Sequence, residues 1–196
     1  FDVCRAHGFA FGRSTESWYG PRPPPATTSN VQTRSQALEV DDFGRVSLAL
    51  YENDRFRRDD DVCVSNTFAT LNPGYPRVLN ALVSRKVSQS MVTVDAAGKP
   101  SLGCGNALIF ASESWEYDGL PAGAVSDGRM TSHTVDRRAT DTGALLRTVR
   151  AFDATYDADG NLVTVRTERD GATRTVSFVY DTFGIVPTKT RLDATN

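Results

Sequence analysis

In this 196-residue chain the side chains able to do chemistry are carboxylates, thiols, hydroxyls and two imidazoles, and their spacing decides which chemistry is open. Asp157 with Asp159, and Asp41 with Asp42, are nominal carboxylate pairs of the kind glycosidases and aspartic proteases use, one group moving a proton while the other attacks or activates water. Asp54, Asp59, Asp60 and Asp61 crowd together as a calcium loop would. However, their spacing does not fit the twelve-residue EF-hand loop, no glycine stands at its turn, and Arg55, Arg57 and Arg58 compete for the carboxylates. The cluster reads as a solvated, self-paired loop. No Gly-x-Ser-x-Gly elbow marks a serine nucleophile, and His7 and His133 stand without a motif, as surface or packing residues. Gly103-Cys104-Gly105 is followed by no Gly-Lys-Ser/Thr and so makes no phosphate loop. Cys4, Cys63 and Cys104 show no C-x-x-C pair and no neighbouring histidine, which disfavours zinc and dithiol redox work and leaves at most one bridge and one free thiol. No metal or cofactor is expected.

The carboxylate pairs have a more economical explanation. Tyr156-Asp157-Ala158-Asp159-Gly160-Asn161-Leu162 is echoed by Tyr180-Asp181-Thr182-Phe183-Gly184-Ile185, with the leading aspartates 24 residues apart. Looser copies stand at Val40-Asp41-Asp42-Phe43-Gly44-Arg45-Val46 and Val94-Asp95-Ala96-Ala97-Gly98. In each copy an aromatic or β-branched residue ends a strand, the aspartate accepts backbone amides a few residues on, and the glycine supplies the positive φ that turns the chain back. Asp41, Gly44, Asp95, Gly98, Asp157, Gly160, Asp181 and Gly184 are therefore expected to form turns of a repeat, which argues for architecture before catalysis.

The elements that position these turns read as strands. Val176, Phe178 and Tyr180 fall on one face and Thr175 and Ser177 on the other, the period of a half-buried strand. Residues 162–167 form a second strand joined to it through Glu168-Arg169-Asp170-Gly171, where Asp-Gly signals a tight hairpin. Further strands are expected over 45–51, 62–69, 77–83, 86–94, 107–117 and 145–156, although 77–87 also fits a short helix with Val78, Leu82 and Arg85 on one side. Turn signals recur at Asn72-Pro73-Gly74, Asp118-Gly119, Asp127-Gly128 and Asp141-Thr142-Gly143, and no helical stripe of several turns appears. The fold class is all-β, an antiparallel array of β-hairpin repeats. Residues 1–37 differ in texture: Pro21, Pro23, Pro24 and Pro25 fix φ and donate no amide, so this stretch is expected as an extended linker, ahead of a β-sheet segment over 38–196.

A net charge of −2 offers no surface for a polyanion, so nucleic acid is not an expected partner. No apolar run approaches the ~20 residues that span a bilayer as a helix. Of the basic residues, Lys86, Lys99 and Lys189 are the three lysines and the rest arginine, from which no function follows. The chain opens on Phe1, so a longer parent is expected.

Residues 150–196 resemble the YD-repeat (Rhs-repeat) family of bacterial polymorphic toxins and Tc-toxin shell proteins, to which the teneurin ectodomains are related. Tyr180-Asp181-Thr182-Phe183-Gly184-Ile185-Val186-Pro187-Thr188 is similar to the aromatic-Gly-aliphatic-x-Pro ending of one bacterial repeat variant. Upstream, Asp60-Asp61-Val62-Cys63-Val64-Ser65-Asn66-Thr67-Phe68-Ala69 and Trp115-Glu116-Tyr117-Asp118-Gly119-Leu120 are similar to further segments of those proteins, which extends the likeness loosely over 39–196. The resemblance implies part of a YD-repeat β-sheet shell, in which hairpins spiral side by side around a cargo polypeptide. Its partners would be flanking YD-repeat segments of the same or a neighbouring chain and an encapsulated toxin polypeptide, and its location secreted or at a bacterial cell surface. It also implies a disulfide, since Cys63 and Cys104 fall where the bacterial relatives carry cysteine; the bridge would close a loop of about 40 residues. The family's self-cleaving aspartyl centre has an Asp-Pro-x-Gly signature, and no Asp-Pro occurs here, so that activity is not carried over.

The expected function is accordingly a structural shell segment that encloses or presents a toxin or other cargo, with no catalysis of its own. The alternative is an extracellular adhesion or carbohydrate-binding β domain with Trp18, Trp115 and Tyr117 as an exposed platform. An enzyme ranks third, and would need a carboxylate or serine in a cleft with a strongly perturbed environment.

Overall fold

A computed structural model describes residues 2–4, 9–11, 14–19, 31–53, 60–70, 80–94, 96–97, 100–104, 108–169 and 171–195. Short strands β1 (Asp2–Cys4) and β2 (Phe9–Phe11) pair with each other. They are followed by β3 (Ser14–Tyr19), β4 (Val31–Val40), β5 (Val46–Glu52), β6 (Val62–Phe68) and β7 (Leu82–Gln89). A small pair, β8 (Met91–Val94) and β9 (Pro100–Gly103), precedes β10 (Ile109–Tyr117), β11 (Met130–Arg138), β12 (Leu145–Tyr156), β13 (Leu162–Arg169), β14 (Ala172–Tyr180) and β15 (Pro187–Thr195). The strands β1–β2, β3–β4–β5–β6, β8–β9 and β11–β12–β13–β14–β15 pair antiparallel, no helix occurs among the described residues, and the sheet does not close on itself. The fold is all-β.

The chain divides into two compact units, one of Phe1–Thr67, Arg85–Ala111 and Ala139–Gly143, the other of Phe68–Ser84, Ser112–Arg138 and Ala144–Asn196. In the first, neighbours run β3-β4-β5-β6, with Ala49 opposite Val64 and Leu50 opposite Cys63. Leu50 and Cys63 are almost wholly buried there, as is Asp61. In the second, β10 is followed in strand order by β11-β12-β13-β14-β15, and Ala69, Ala81 and Val125 form a small core against which Val83 and Tyr117 pack. Both cores are thin. Few side chains are fully buried, so strand identity rests on ladder hydrogen bonds and on cross-strand pairs more than on apolar alternation.

That thinness explains where strands arise beyond those expected. β11 (MTSHTVDRR), β15 (PTKTRLDAT) and β4 (VQTRSQALEV) carry no clean apolar period, yet each is held in register by an antiparallel neighbour. β3 and β4 also place sheet upstream of residue 38, so the expected boundary at 37/38 falls inside β4, because Ser14–Tyr19 supply the partner that Val31–Gln36 require. Pro21, Pro23, Pro24 and Pro25 lie outside the described residues. A continuous strand over 86–94 does not form: at Ser90 the backbone amide donates to the Asp61 carbonyl, and the chain leaves β7 for the β8–β9 pair. Over 77–87, β7 begins at Leu82 and residues 77–79 are outside the description. The Asp-Gly hairpin forms as read, with Arg169 directly opposite Ala172 and Gly171 at φ +86°.

Candidate functional site

The repeated phrase builds the same small structure at three hairpin ends. At Asp41, Oδ1 accepts the amides of Phe43 and Arg45, both at 3.0 Å, and Oδ2 accepts Arg45 Nε at 2.6 Å. At Asp157, Oδ1 accepts the Asn161 amide at 2.8 Å and Oδ2 its side-chain amide at 3.1 Å. At Asp181, Oδ1 accepts the amides of Ile185 and Val186 at 2.9 and 3.4 Å. In all three the glycine three residues on donates its amide to the aspartate carbonyl: Gly44 to Asp41, Gly160 to Asp157 and Gly184 to Asp181. The aspartate's own amide then pairs with the returning strand, at Arg45, Asn161 and Val186 respectively. The Asp181 turn returns one residue later because Pro187, which has no amide, opens β15. Gly160 is doubly constrained, by φ +89° and by the Arg129 guanidinium, which would lie 2.6 Å from an added Cβ. Asp95 and Gly98, the remaining expected turn pair, lie outside the described residues.

A fourth aspartate does more than its sequence signal suggested. Asp118, itself at φ +57°, accepts the amides of Ser126, Asp127 and Gly128 on Oδ2 at 2.8, 3.0 and 3.0 Å and that of Arg129 on Oδ1 at 2.9 Å. The turns read separately at Asp118-Gly119 and Asp127-Gly128 are thus one loop wrapped around one carboxylate. The signal was available in the dipeptide: Tyr117-Asp118 matches Tyr156-Asp157 and Tyr180-Asp181.

Each of these tyrosines also makes the same bond. The Tyr117 hydroxyl donates to the carbonyl of Leu82, that of Tyr156 to Met130 and that of Tyr180 to Leu162, at 3.0, 3.0 and 3.1 Å. Each acceptor is the first residue of the strand beside the tyrosine's own. Tyrosine therefore pins the start of one strand and the following aspartate shapes the next turn, which is a physical reason for the two residues to be adjacent.

The electrostatics fit this role. For Asp118 burial acts to raise the carboxyl pKa, but the amides of Ser126, Arg129 and Gly128 outweigh it and hold the group below the ordinary carboxylate range. At Asp41 burial is likewise outweighed, by the amide and guanidinium of Arg45. Asp157 is held down first by the backbone and side-chain amides of Asn161, and Asp181 by the Ile185 amide. Such carboxylates are ionised acceptors with their lone pairs engaged, and a group in that state is poorly suited to donate a proton at neutral pH.

Other candidates are placed as follows. Cys63 and Cys104 are joined in a disulfide with Cα atoms 5.6 Å apart. His133 stacks on Trp115 with ring centroids 4.8 Å apart, and its Nε2 lies 3.0 Å from Glu113 Oε2. Asp136 ties three strands together by accepting Ser112 Oγ and Thr148 Oγ1 at 3.0 and 2.7 Å. Asp54, Asp59, His7 and the side chain of Trp18 are outside the description. In the second unit an open polar cavity of about 510 Å³ lies between the Asp118 and Asp157 turns, lined in part by Glu116, Asp127, Arg129, Arg150 and Asp153. Its charges are largely self-paired, with Arg150 3.2 Å from Asp153 and Arg129 3.6 Å from Asp127. No protein-family model matches the chain, and no curated protein matches it.

Proposed function

We propose that the chain is a structural segment of a YD-repeat shell, secreted or displayed by a bacterium, that encloses or presents a toxin or other cargo polypeptide and performs no catalysis itself. The observation that carries this reading is the threefold recurrence of one geometry: a strand-ending tyrosine bonded to the first carbonyl of the neighbouring strand, followed by an aspartate that gathers turn amides. Such a unit positions strands and turns, and a structure that repeats it is specialised for building sheet. Exposed apolar residues concentrate in the last hairpin, where Phe183, Ile185 and Leu192 are 82%, 76% and 64% accessible, as suits a surface that further protein covers. The disulfide suits an oxidising compartment.

An aromatic carbohydrate platform is less well supported. Tyr117 packs against the Ala69–Ala81–Val125 cluster with its hydroxyl engaged, and Trp115 is covered on one face by His133. The test is to read the parent gene on both sides of this segment. Further Tyr-Asp-x-x-Gly units at comparable spacing are the expected result, and a start and stop codon closely flanking the 196 residues would overturn the shell reading.

A further inference from the structure

In the first unit the chain leaves the main sheet after β7 and rejoins it at β10. β7 and β10 are neighbours in the strand order although β8 and β9 lie between them in sequence, and β8 and β9 pair with each other in a two-stranded sheet of their own. The base of this excursion is closed where the Gln89 amide donates to the Leu108 carbonyl at 2.9 Å and the Ser90 amide to the Asp61 carbonyl at 3.1 Å. Its returning end is tied to β6 by the Cys63–Cys104 disulfide. The Cys104 sulfur lies 3.9 Å from the Ala49 carbonyl and the Cys63 sulfur 3.7 Å from that of Gly103; these are contacts, since a bridged sulfur carries no proton to donate. A two-stranded pair is marginally stable at best in water, so the covalent tie matters more here than it would beside a strand laddered on both sides. Met91 and Val92 are exposed, so the first strand of the pair gains little from burial.

We infer that the bridge is a redox-released strap: a thiol reductant opens it in the folded protein and frees the β8–β9 pair from β6 while the main sheet stays in place. The two sulfurs are not equivalent. Cys63 is almost wholly buried in β6, whereas Cys104 is half-buried in the loop after β9, so an incoming thiolate reaches Cys104. Its attack forms a bond to Cys104 Sγ and breaks the Cys63–Cys104 bond, and Cys63 leaves as a thiolate and takes up a proton. A second reductant thiol displaces Cys104, which is protonated in turn. The two reductant molecules depart joined as one disulfide, having supplied both electrons. The release breaks no ladder of the main sheet. β7 and β10 remain neighbours with the excursion gone, and β5 and β6 keep their pairs from Leu48 opposite Ser65 to Tyr51 opposite Val62. The Gln89–Leu108 bond is left as the hinge. Such a strap is closed in an oxidising compartment and opens on meeting a glutathione pool.

The strap rests on the bridge and on the separate pairing of β8 with β9, and it would stand even if the parent gene carried no further repeats. The 196-residue chain, incubated folded with reduced glutathione and quenched with acid, tests it. Peptide mass mapping should find the glutathione adduct on Cys104 and none on Cys63. Once the bridge is reduced, amide exchange in the folded protein should rise roughly tenfold across β8 and β9, more than at Leu48–Tyr51, with β12–β14 unchanged. Cys104→Ser should show the same raised exchange in β8 and β9 without any reductant, which separates loss of the tie from an effect of glutathione itself. The thermal midpoint verifies that the variant is folded, and the reduced natural chain supplies the measurement should it not be. A bridge reduced no faster than the whole chain unfolds would overturn the inference. So would adducts on Cys63, or exchange that rises evenly over all the strands.

Discussion

The hydroxyl of Tyr156 donates to the backbone carbonyl of Met130 at 3.0 Å, so a residue at the end of β12 holds the first residue of β11. The partners are 26 positions apart in sequence, and Tyr180 repeats the arrangement with Leu162 across 18. A phenol at this point anchors the mouth of a hairpin that the sheet's thin core would leave to ladder bonds alone.

Replacing either tyrosine with phenylalanine keeps the ring and deletes the bond. Tyr156→Phe and Tyr180→Phe should each lower stability by about 1 kcal/mol, the usual net value of one hydrogen bond, with the freed carbonyl becoming accessible to water. Urea unfolding measures this. Faster amide exchange near Met130 in Tyr156→Phe, and near Leu162 in Tyr180→Phe, distinguishes local pinning from a general loss; no change in exchange at those positions would contradict the role given to the phenols.

Gly160 and Gly44 separate two reasons for a glycine. Both have positive φ, but an added Cβ at Gly44 meets nothing within 4 Å, whereas at Gly160 it meets the Arg129 guanidinium. Gly44→Ala should cost about 1 kcal/mol for backbone strain. Gly160→Ala should cost more, and the excess should shrink in an Arg129→Ala background, because the far end of that side chain is the obstacle. A thermodynamic cycle over the four proteins supplies the coupling.

How far the sequence could be read depended on how much each strand buries. β14 was legible because Val176, Phe178 and Tyr180 alternate with polar residues, and β12 matches its expected span of 145–156. β11 and β15 were not, since Ser132, Thr134 and Asp136, or Thr188 and Thr190, give no apolar period; their strand state comes from partners distant in sequence. Within the site, Asp157 and Asp181 were readable because their amide partners lie four or five residues on. Asp118 gathers amides eight to eleven residues on, beyond what a local turn rule covers, and only its preceding tyrosine hinted at the likeness.

Acid should loosen the turns before it affects the ladders. Asp41, Asp118, Asp136, Asp157 and Asp181 are all held below the ordinary value of 3.8 in the folded chain. The unfolded chain therefore binds more protons in that window, so the stabilisation is present above the unfolded value and is lost as pH falls from about 3.8 through the lower folded values. Denaturant midpoints between pH 6 and pH 2 should fall in that acidic range. Asp118→Asn should lower stability at neutral pH and flatten the acid limb, since the amide cannot accept on both atoms and does not titrate there. An acid limb unchanged by Asp118→Asn would show that other carboxylates govern it.

The Cys63–Cys104 bridge has a chemical signature independent of stability. Cys63 is about 1% accessible, so a free thiol there would resist alkylation in the native state; the comparison must be made in denaturant. Unfolded without reductant, the protein should take up iodoacetamide at neither Cys63 nor Cys104, and after reduction at both, as peptide mass mapping would show. Loop closure over this separation gives about 2 to 4 kcal/mol, which the Cys63→Ala, Cys104→Ala double variant should lose. Because Leu50 is the residue opposite Cys63 and is itself 2% accessible, the loss should fall on the β5–β6 pair, and amide exchange at Leu48–Tyr51 should rise ahead of exchange in β12–β14. Alkylation of both cysteines before reduction would remove the bridge and with it the expected difference in exchange between the two strand sets.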